Sequence, residues 1–314
     1  MLTRRHIRVK VMQSIYAMQQ NQSNDLDQEL KFLTQSTAEM QHLYLLITAL
    51  FTQLYTLANE QNQLMQKKYT ATAEEKAFLR KLTSNLLLKS IAESTTLQET
   101  IETTKMNLWD INGEYVKIIY KRIIESDTYQ QYSATKDSSF EEDKKFIIRI
   151  YEEIIAPDEK IYDYISDYNL TWSDDYPVIN TFIIRLLNGL EPNSKESYLN
   201  PPLYKNADLK EFMTDLFKKT ALNDSNFGQY IIDKPSKWDV ERIAIIDQIL
   251  LKMAICEFVK FPSIPIKVTI NEYLEIAKEY STDKSATFIN GILNQVLLEL
   301  QEKNQIKKIG RGLQ

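Results

Sequence analysis

The residues best equipped for chemistry stand at the two ends of the chain. Arg4, Arg5 and Arg8 crowd the start, and with Lys10 they give residues 1–24 a charge of +4 and no acid. Guanidinium groups take phosphate oxygens two at a time and stack on flat rings. A short arginine cluster is equally the ordinary solvated start of a basic helix. Near the other end lies Tyr280–Phe288, YSTDKSATF. If a helix begins near Asp283, its first backbone amides face an incoming anion, with Lys284 and the Ser285 hydroxyl beside them. Tyr280, just ahead, offers a ring on which an unpaired base can stack. Helix capping by Ser281, Thr282 and Asp283 is the plainer reading of the same residues. A last basic run, Lys303, Lys307, Lys308 and Arg311, has no acid after Glu302.

The rest of the chain is acidic. Its net charge is −5, so the residues beyond 24 carry −9. Such a body repels a polyanion everywhere except at its basic footprint. Catalytic parts are scarce. Two histidines, His6 and His42, and one cysteine, Cys256, leave zinc sites and Cys/His nucleophiles short of members. Neither a GxGxxG nor a GxxxxGK[ST] phosphate loop occurs. The acidic pairs Glu152-Glu153 and Asp174-Asp175 sit on adjacent positions, which do not face one another on a helix, and read as solvated surface. The expectation is a protein with no reaction, no cofactor and no metal. One cysteine and no apolar run of the ~18 residues a membrane span needs point to a soluble protein of the reducing cytoplasm. No uninterrupted apolar signal region follows the first arginines.

Helices must position these groups, because the chain has only 6 Gly and 8 Pro among many Leu, Ile, Gln, Glu and Lys. Residues 3–20 form a first helix, with Ile7, Val11, Ile15 and Met18 on one face. Residues 238–297 read as three helices. Ile243, Ile246, Leu250, Met253 and Ala254 step by three or four, and Pro262 to Pro265 stop the run. Ile266, Ile270, Tyr273, Leu274 and Ala277 make the second face. Phe288, Ile289, Ile292, Val296 and Leu300 make the third.

The literal stretches WDVERIAIIDQILLKMAICE from Trp238, PIKVTINEYLEIAKEYS from Pro265 and SATFINGIL from Ser285 resemble the C-terminal half of NusB-family transcription antitermination factors. The N-terminal pattern RRxxRxxxxQxxY, with Arg4, Arg5, Arg8, Gln13 and Tyr16 in place, resembles the family's first helix. The resemblance implies an all-α, NusB-like helical bundle that binds RNA. It assigns RNA contacts to Arg4, Arg5, Arg8 and Tyr16 on the first helix, and to Tyr280, Lys284, Ser285 and Phe288 on the second surface. Phe288 is open to either RNA contact or core burial. Compact relatives often carry an acid where this chain has Lys284, and a lysine there strengthens phosphate attraction. Asp247 and Lys252 fall on the helix that contacts NusE, a small-subunit ribosomal protein, in the family; a solvated charged pair is the other reading. Some RNA methyltransferases carry a similar domain, but their glycine-rich cofactor-binding half is absent here.

In the compact pattern a short connection follows the first helix, whereas here the next match begins near Leu209. Residues 21–202 therefore read as a large helical insertion, 203–300 as the NusB-like body and 301–314 as a basic tail. Within the insertion, Leu43, Leu46, Ile47, Leu50, Leu54 and Leu57 mark one long helix. Phe78, Leu82, Leu86 and Ile91 mark another, and Gly113–Ser126 a third. Thr128–Ser139 reads as a loop. A shift of 66 residues aligns Phe146 with Phe212, Tyr164-Ile165 with Tyr230-Ile231, Trp172 with Trp238, Ile183 with Ile249 and Glu191 with Glu257. Residues 146–191 thus read as a diverged copy of 212–257, with Thr181 and Leu186 where the other has Asp247 and Lys252.

The function expected from these readings is antitermination. The resemblance implies that the protein binds a boxA-type single-stranded leader RNA with NusE and joins the transcription elongation complex, chiefly in ribosomal RNA synthesis. The alternative is a non-catalytic helical scaffold for protein–protein contacts that has lost RNA binding. The acidic body and the insertion are what motivate that alternative.

Overall fold

Apolar residues at helical spacing produce helices throughout the computed structural model, which describes residues 1–135, 139–232 and 243–313. In chain order they are α1 (Arg4–Gln20), α2 (Leu26–Lys67), α3 (Ala73–Thr83), α4 (Leu86–Ala92), α5 (Thr95–Thr103), α6 (Gly113–Glu125), α7 (Asp127–Ala134), α8 (Phe140–Ile150), α9 (Glu159–Tyr168), α10 (Trp172–Gly189), α11 (Ala207–Leu222), α12 (Asp224–Ile232), α13 (Ile245–Lys260), α14 (Ile266–Tyr280) and α15 (Ser285–Glu302). Among the described residues there is no strand, and no helix is long and apolar enough to cross a membrane. The fold is all-α.

The chain forms two compact units, Met1–Thr37 with Tyr204–Gln314, and Ala38–Leu203. Charge divides with them. The second unit holds 17 Lys and Arg against 25 Asp and Glu, a net −8, and the first holds 21 against 18, a net +3. The first unit is built around α13. From Ile249 to Phe258 every side chain of that helix except Lys252 is buried. A helix apolar on all sides needs neighbours on all sides, and α13 is surrounded by α1, α11, α12, α14 and α15. The α1 face Ile7, Val11 and Ile15 closes one flank.

Local differences from the sequence reading have identifiable causes. Residues 238–242, including Trp238, lie outside the described residues, and α13 starts at Ile245. The turn after α1 ends at Asp25, whose carboxylate accepts the Asp27 and Gln28 amides, so α2 begins earlier than the leucine stripe suggests. The Phe78–Ile91 stripe splits into α3 and α4 because Asn85 caps a new helix through the Leu88 amide. The loop expected at 128–139 contains α7: Ser126 caps it, and Tyr129 and Tyr132 bury on its inner face. The basic end is held as well. Lys308 donates from Nζ to the Glu257 and Phe261 carbonyls, and Gly312 is buried so closely against Pro262 that a Cβ there would clash with its backbone.

At the 66-residue shift, α8, α9 and α10 fall on α11, α12 and α13. Phe146, Ile161, Ile165, Ile183 and Leu187 are buried, as are Phe212, Phe227, Ile231, Ile249 and Met253 at the shifted positions. The polar positions differ: Glu257 is buried and Glu191 exposed.

The second unit has its own polar anchor. Asp143 is fully buried and accepts the Leu86 amide and the Tyr132 hydroxyl, both at 2.6 Å. Asp143→Ala orphans both donors and is expected to cost about 1–3 kcal/mol, measured as a lower urea midpoint for this unit; an unchanged midpoint contradicts the anchor.

Candidate nucleic-acid interface

The first turn of α1 is set by a reciprocal cap. Thr3 accepts the His6 amide, and the Thr3 amide donates to His6 Nδ1. Arg4 and Arg5 therefore stand at a defined helix start. Arg4 is exposed, with its guanidinium 5.2 Å from the centre of the Phe212 ring. Arg5 is 44% exposed and grips Glu272 with two bonds, Nε to Oε2 at 3.1 Å and Nη2 to Oε1 at 2.9 Å.

Arg8 is different. Its side chain is 2% exposed, and it meets Glu257 bidentately at 2.7 and 3.0 Å. A third contact reaches Glu272 at 3.4 Å. Glu257, wholly buried, also accepts the Thr269 hydroxyl at 3.1 Å and the Tyr273 hydroxyl at 2.8 Å. The guanidinium lies over both the Phe212 and Tyr273 rings. Burial alone would depress its pKa, but the charge of Glu257 and the hydrogen bonds to it outweigh that and hold the group charged. Partial burial likewise pushes the Glu272 carboxyl up, yet Arg5 and Arg8 together hold it below the usual carboxylate range. The expected RNA contact at Arg8 is thus corrected. Its donors face inward, where they tie α1 to α13 and α14.

The second surface resolves in the same way. Asp247 is buried; its Oδ1 accepts the Ser281 hydroxyl at 2.6 Å and its Oδ2 the Ser285 hydroxyl at 2.7 Å. Ser285 Oγ also lies 2.8 Å from Thr282 Oγ1 and accepts the Thr282 amide. This network fixes the turn between α14 and α15, so Ser285 is not an exposed phosphate ligand and Asp247 is not a partner-facing acid. Lys252, expected to face a partner, pairs instead with both Asp224 oxygens at 2.7 Å, its side chain 12% exposed. Lys284 occupies the N-cap of α15 in place of Asp283 and is exposed. Tyr280 and Phe288 are half-buried, packed on the first unit's core.

Contacts with α14 place the start of α1. Arg8 meets Tyr273 and Glu272, and Arg5 meets Glu272 and adds to the lowering of the Glu275 pKa that the Lys278 hydrogen bond begins. The start of α1 thus lies against the middle of α14, the helix that leads on to Tyr280 and, past the turn, to Lys284. Tyr16, exposed, stands about 16 Å from Arg5 along α1 at 1.5 Å per residue, toward the far end of that helix. Sequence reasoning missed the inner network of Glu257, Thr269 and Tyr273. A signal was present: Arg8 sits beside Ile7 and one turn from Val11, on the edge of the apolar stripe.

Among the described residues no group of three or more His, Cys, Asp or Glu is placed to hold a metal. Burial pushes the Cys256 thiol up to about 12, which leaves it inert as a nucleophile.

The NusB family matches residues 183–298. A relative named transcription antitermination protein NusB from Salinibacter ruber is 39% identical over 112 residues, which cover 36% of this chain and 70% of the relative. A protein of the same name from Chloroherpeton thalassium is 40% identical over 104 residues, covering 33% of this chain and 49% of the relative. A third, from Thermodesulfovibrio yellowstonii, is 41% identical over 95 residues, covering 30% and 63%. In the last two the chain spans less than two thirds of the relative. No solved structure matches. The family match lies wholly outside α1, which meets the matched helices through Arg5 and Arg8.

Two predictions follow from the network. Arg8→Ala strands the Glu257 carboxylate and is expected to cost about 3–5 kcal/mol, read from chemical denaturation of the first unit; a loss below about 1 kcal/mol would remove Arg8 from its structural role. Burial pulls the Lys308 pKa down to about 8, against the charge of Glu257. The unfolded chain then holds this proton more tightly, so Lys308 makes stability rise with pH from about 8 to its ordinary 10.5. Wild type minus Lys308→Met should show that rise, and a flat difference would contradict it.

Proposed function

The chain belongs to the NusB family of non-catalytic transcription antitermination factors, and on that footing we propose that it binds a boxA-type single-stranded leader RNA together with NusE. Bound in this way, it joins the elongation complex and suppresses termination, chiefly in ribosomal RNA synthesis. The observation that carries the RNA assignment is the placing of Arg4 and Arg5. They stand at the capped start of a helix whose next arginine is buried, so their position is set before any RNA arrives. Preorganised donors lose little entropy on binding. The charge division supports the same reading, since the unit that holds these arginines is net positive although the chain is net negative.

In this reading Arg4 and the exposed part of Arg5 take phosphates. Arg5 keeps Glu272 as a resting partner, so phosphate competes with a carboxylate there. Lys284 supplies charge at the α15 N-terminus, where the first amides of the helix add their own attraction for an anion. Tyr280 and Phe288 offer their rings for base stacking. Tyr16 extends the contact further along α1. Arg8, Ser285 and Asp247 act from beneath by holding these elements in place.

Fluorescence anisotropy with a labelled boxA-type RNA tests this. Arg4→Ala with Lys284→Ala should weaken binding and make the log–log salt slope shallower by about 1.4, at roughly 0.7 per phosphate contact on a single strand. Thermal unfolding should move little, because both side chains are exposed and Arg4 gives up a surface cation–π contact with Phe212 of about 0.5–1 kcal/mol. Unchanged affinity and slope would remove this surface from RNA binding.

A further inference from the structure

The second unit carries a run of aromatic rings that its own core does not close over. Two indoles anchor it. Trp109 and Trp172 are buried, and each donates its ring N–H to a carbonyl of α2, Trp109 to Leu46 at 2.7 Å and Trp172 to Glu39 at 3.0 Å. From Trp109 the ring contacts pass to Tyr164 at 5.2 Å, then to Tyr168 at 6.4 Å and on to Trp172 at 5.2 Å. Tyr115 bridges Trp109 and Tyr164. Asn112 donates to the Tyr164 hydroxyl and to the Leu108 carbonyl, which fixes the middle of the run.

Tyr168 stacks on the buried Trp172 with only 20° between the planes, yet it is 50% exposed. One face rests on the core and the rest meets solvent. Two aliphatic side chains flank the run, Ile111 next to Asn112 and Leu170 two residues after Tyr168, and each is 83% exposed. Scattered exposed apolar residues need no explanation, but two that bracket a chain of touching rings on a rigid base do.

Charge decides what fits there. The unit is net −8. Glu114 is near enough to Tyr164 to add to the upward shift of its hydroxyl, which burial and the neighbouring tyrosines begin. Asp167 is exposed on α9, three residues after Tyr164 and so on its side of the helix. Lys117 is turned about 200° from Tyr115 around α6, on the far side, by 100° per residue. Lys160, one turn before Tyr164, is the cation on the same face. Stacked bases would bring phosphates up to these carboxylates, which repel them. Arginine and lysine side chains fit instead, because they pack on tyrosine faces and pair with carboxylates in one step.

We propose that the strip formed by Ile111, Tyr164, Tyr168 and Leu170 docks a basic segment of another protein, one in which Arg or Lys alternates with apolar residues. The apolar side chains cover Ile111 and Leu170, and the cations lie over the tyrosine rings against Glu114 and Asp167. This site is independent of the RNA reading of the first unit.

The test titrates full-length protein with a labelled short peptide of alternating Arg and Leu, and with its Glu-for-Arg counterpart. The basic peptide should bind and the acidic one should not. Ile111→Ser with Leu170→Ser leaves the charge unchanged and should weaken binding about tenfold or more, the scale of losing apolar anchors at an interface. Glu114→Gln with Asp167→Asn should weaken it too, and flatten its salt dependence. All four positions are exposed, and matching thermal unfolding confirms that the variants fold. Equal affinity of the serine variant for the basic peptide overturns the proposal. So does loss of single-stranded RNA binding in that variant, which would make the strip a base-stacking surface. Concentration-dependent self-association that the serine variant abolishes would also overturn it, by making a second copy the occupant.

Discussion

Arg8 and Glu257 lie 249 residues apart in the chain and meet with almost no water around them. Two opposite charges in that setting are costly to desolvate, and they persist because every strong group around them is answered. Glu257 accepts from Arg8, Thr269 and Tyr273, and Arg8 also reaches Glu272. The Glu257 main chain takes part as well, since its carbonyl receives Lys308 from the end of the chain. One buried carboxylate therefore gathers α1, α13 and α14, while its backbone holds the C-terminal residues. Apolar packing of Ile7, Val11 and Ile15 brings α1 to the bundle, but a smooth apolar stripe tolerates sliding and rotation. A bidentate ion pair does not. It gives α1 one register, and with it one placement for Arg4 and Arg5.

A second polar network has the same logic at smaller scale. Asp247 reaches from α13 to Ser281 and Ser285 on either side of the α14–α15 turn. Both networks start from α13, which is buried and apolar from Ile249 to Phe258 apart from Lys252 and Glu257. The central helix thus carries two acids, and each holds in place an element that bears an exposed cation. Function-bearing residues and position-setting residues are different sets, one on the surface and one a layer beneath.

Much of this was legible in the sequence, and the failures share one cause. Periodicity found α1, α14 and α15, and the family motif marked α13 to α15. Local patterns report which side of a helix is apolar, and they do so well for amphipathic helices. They do not report which charge on a helix edge will find a partner far along the chain. Arg8 looked like Arg4 and Arg5, although it sits nearer the apolar stripe. Asp247 and Lys252 looked alike as charges on an apolar helix, yet one is buried under two serines and the other pairs with Asp224. Because α13 is apolar nearly all round, it has no polar face from which to judge which charges are outside. The α7 helix was hidden for another reason: Tyr129 and Tyr132 supply its buried face within a segment rich in turn-forming residues.

The central claim is that Arg8 acts by holding α1 and not by touching RNA. A double-mutant cycle of Arg8→Met and Glu257→Met, with unfolding free energy and boxA-type RNA affinity measured on each variant, tests it most directly. Each single change should destabilise strongly, whereas the double change, which leaves no charge stranded, should recover part of the loss. The folded double variant should keep most of its RNA affinity, because Arg4 and Arg5 remain. Additive destabilisation, with RNA binding falling in every variant that lacks Arg8, would contradict the account and make Arg8 an RNA ligand.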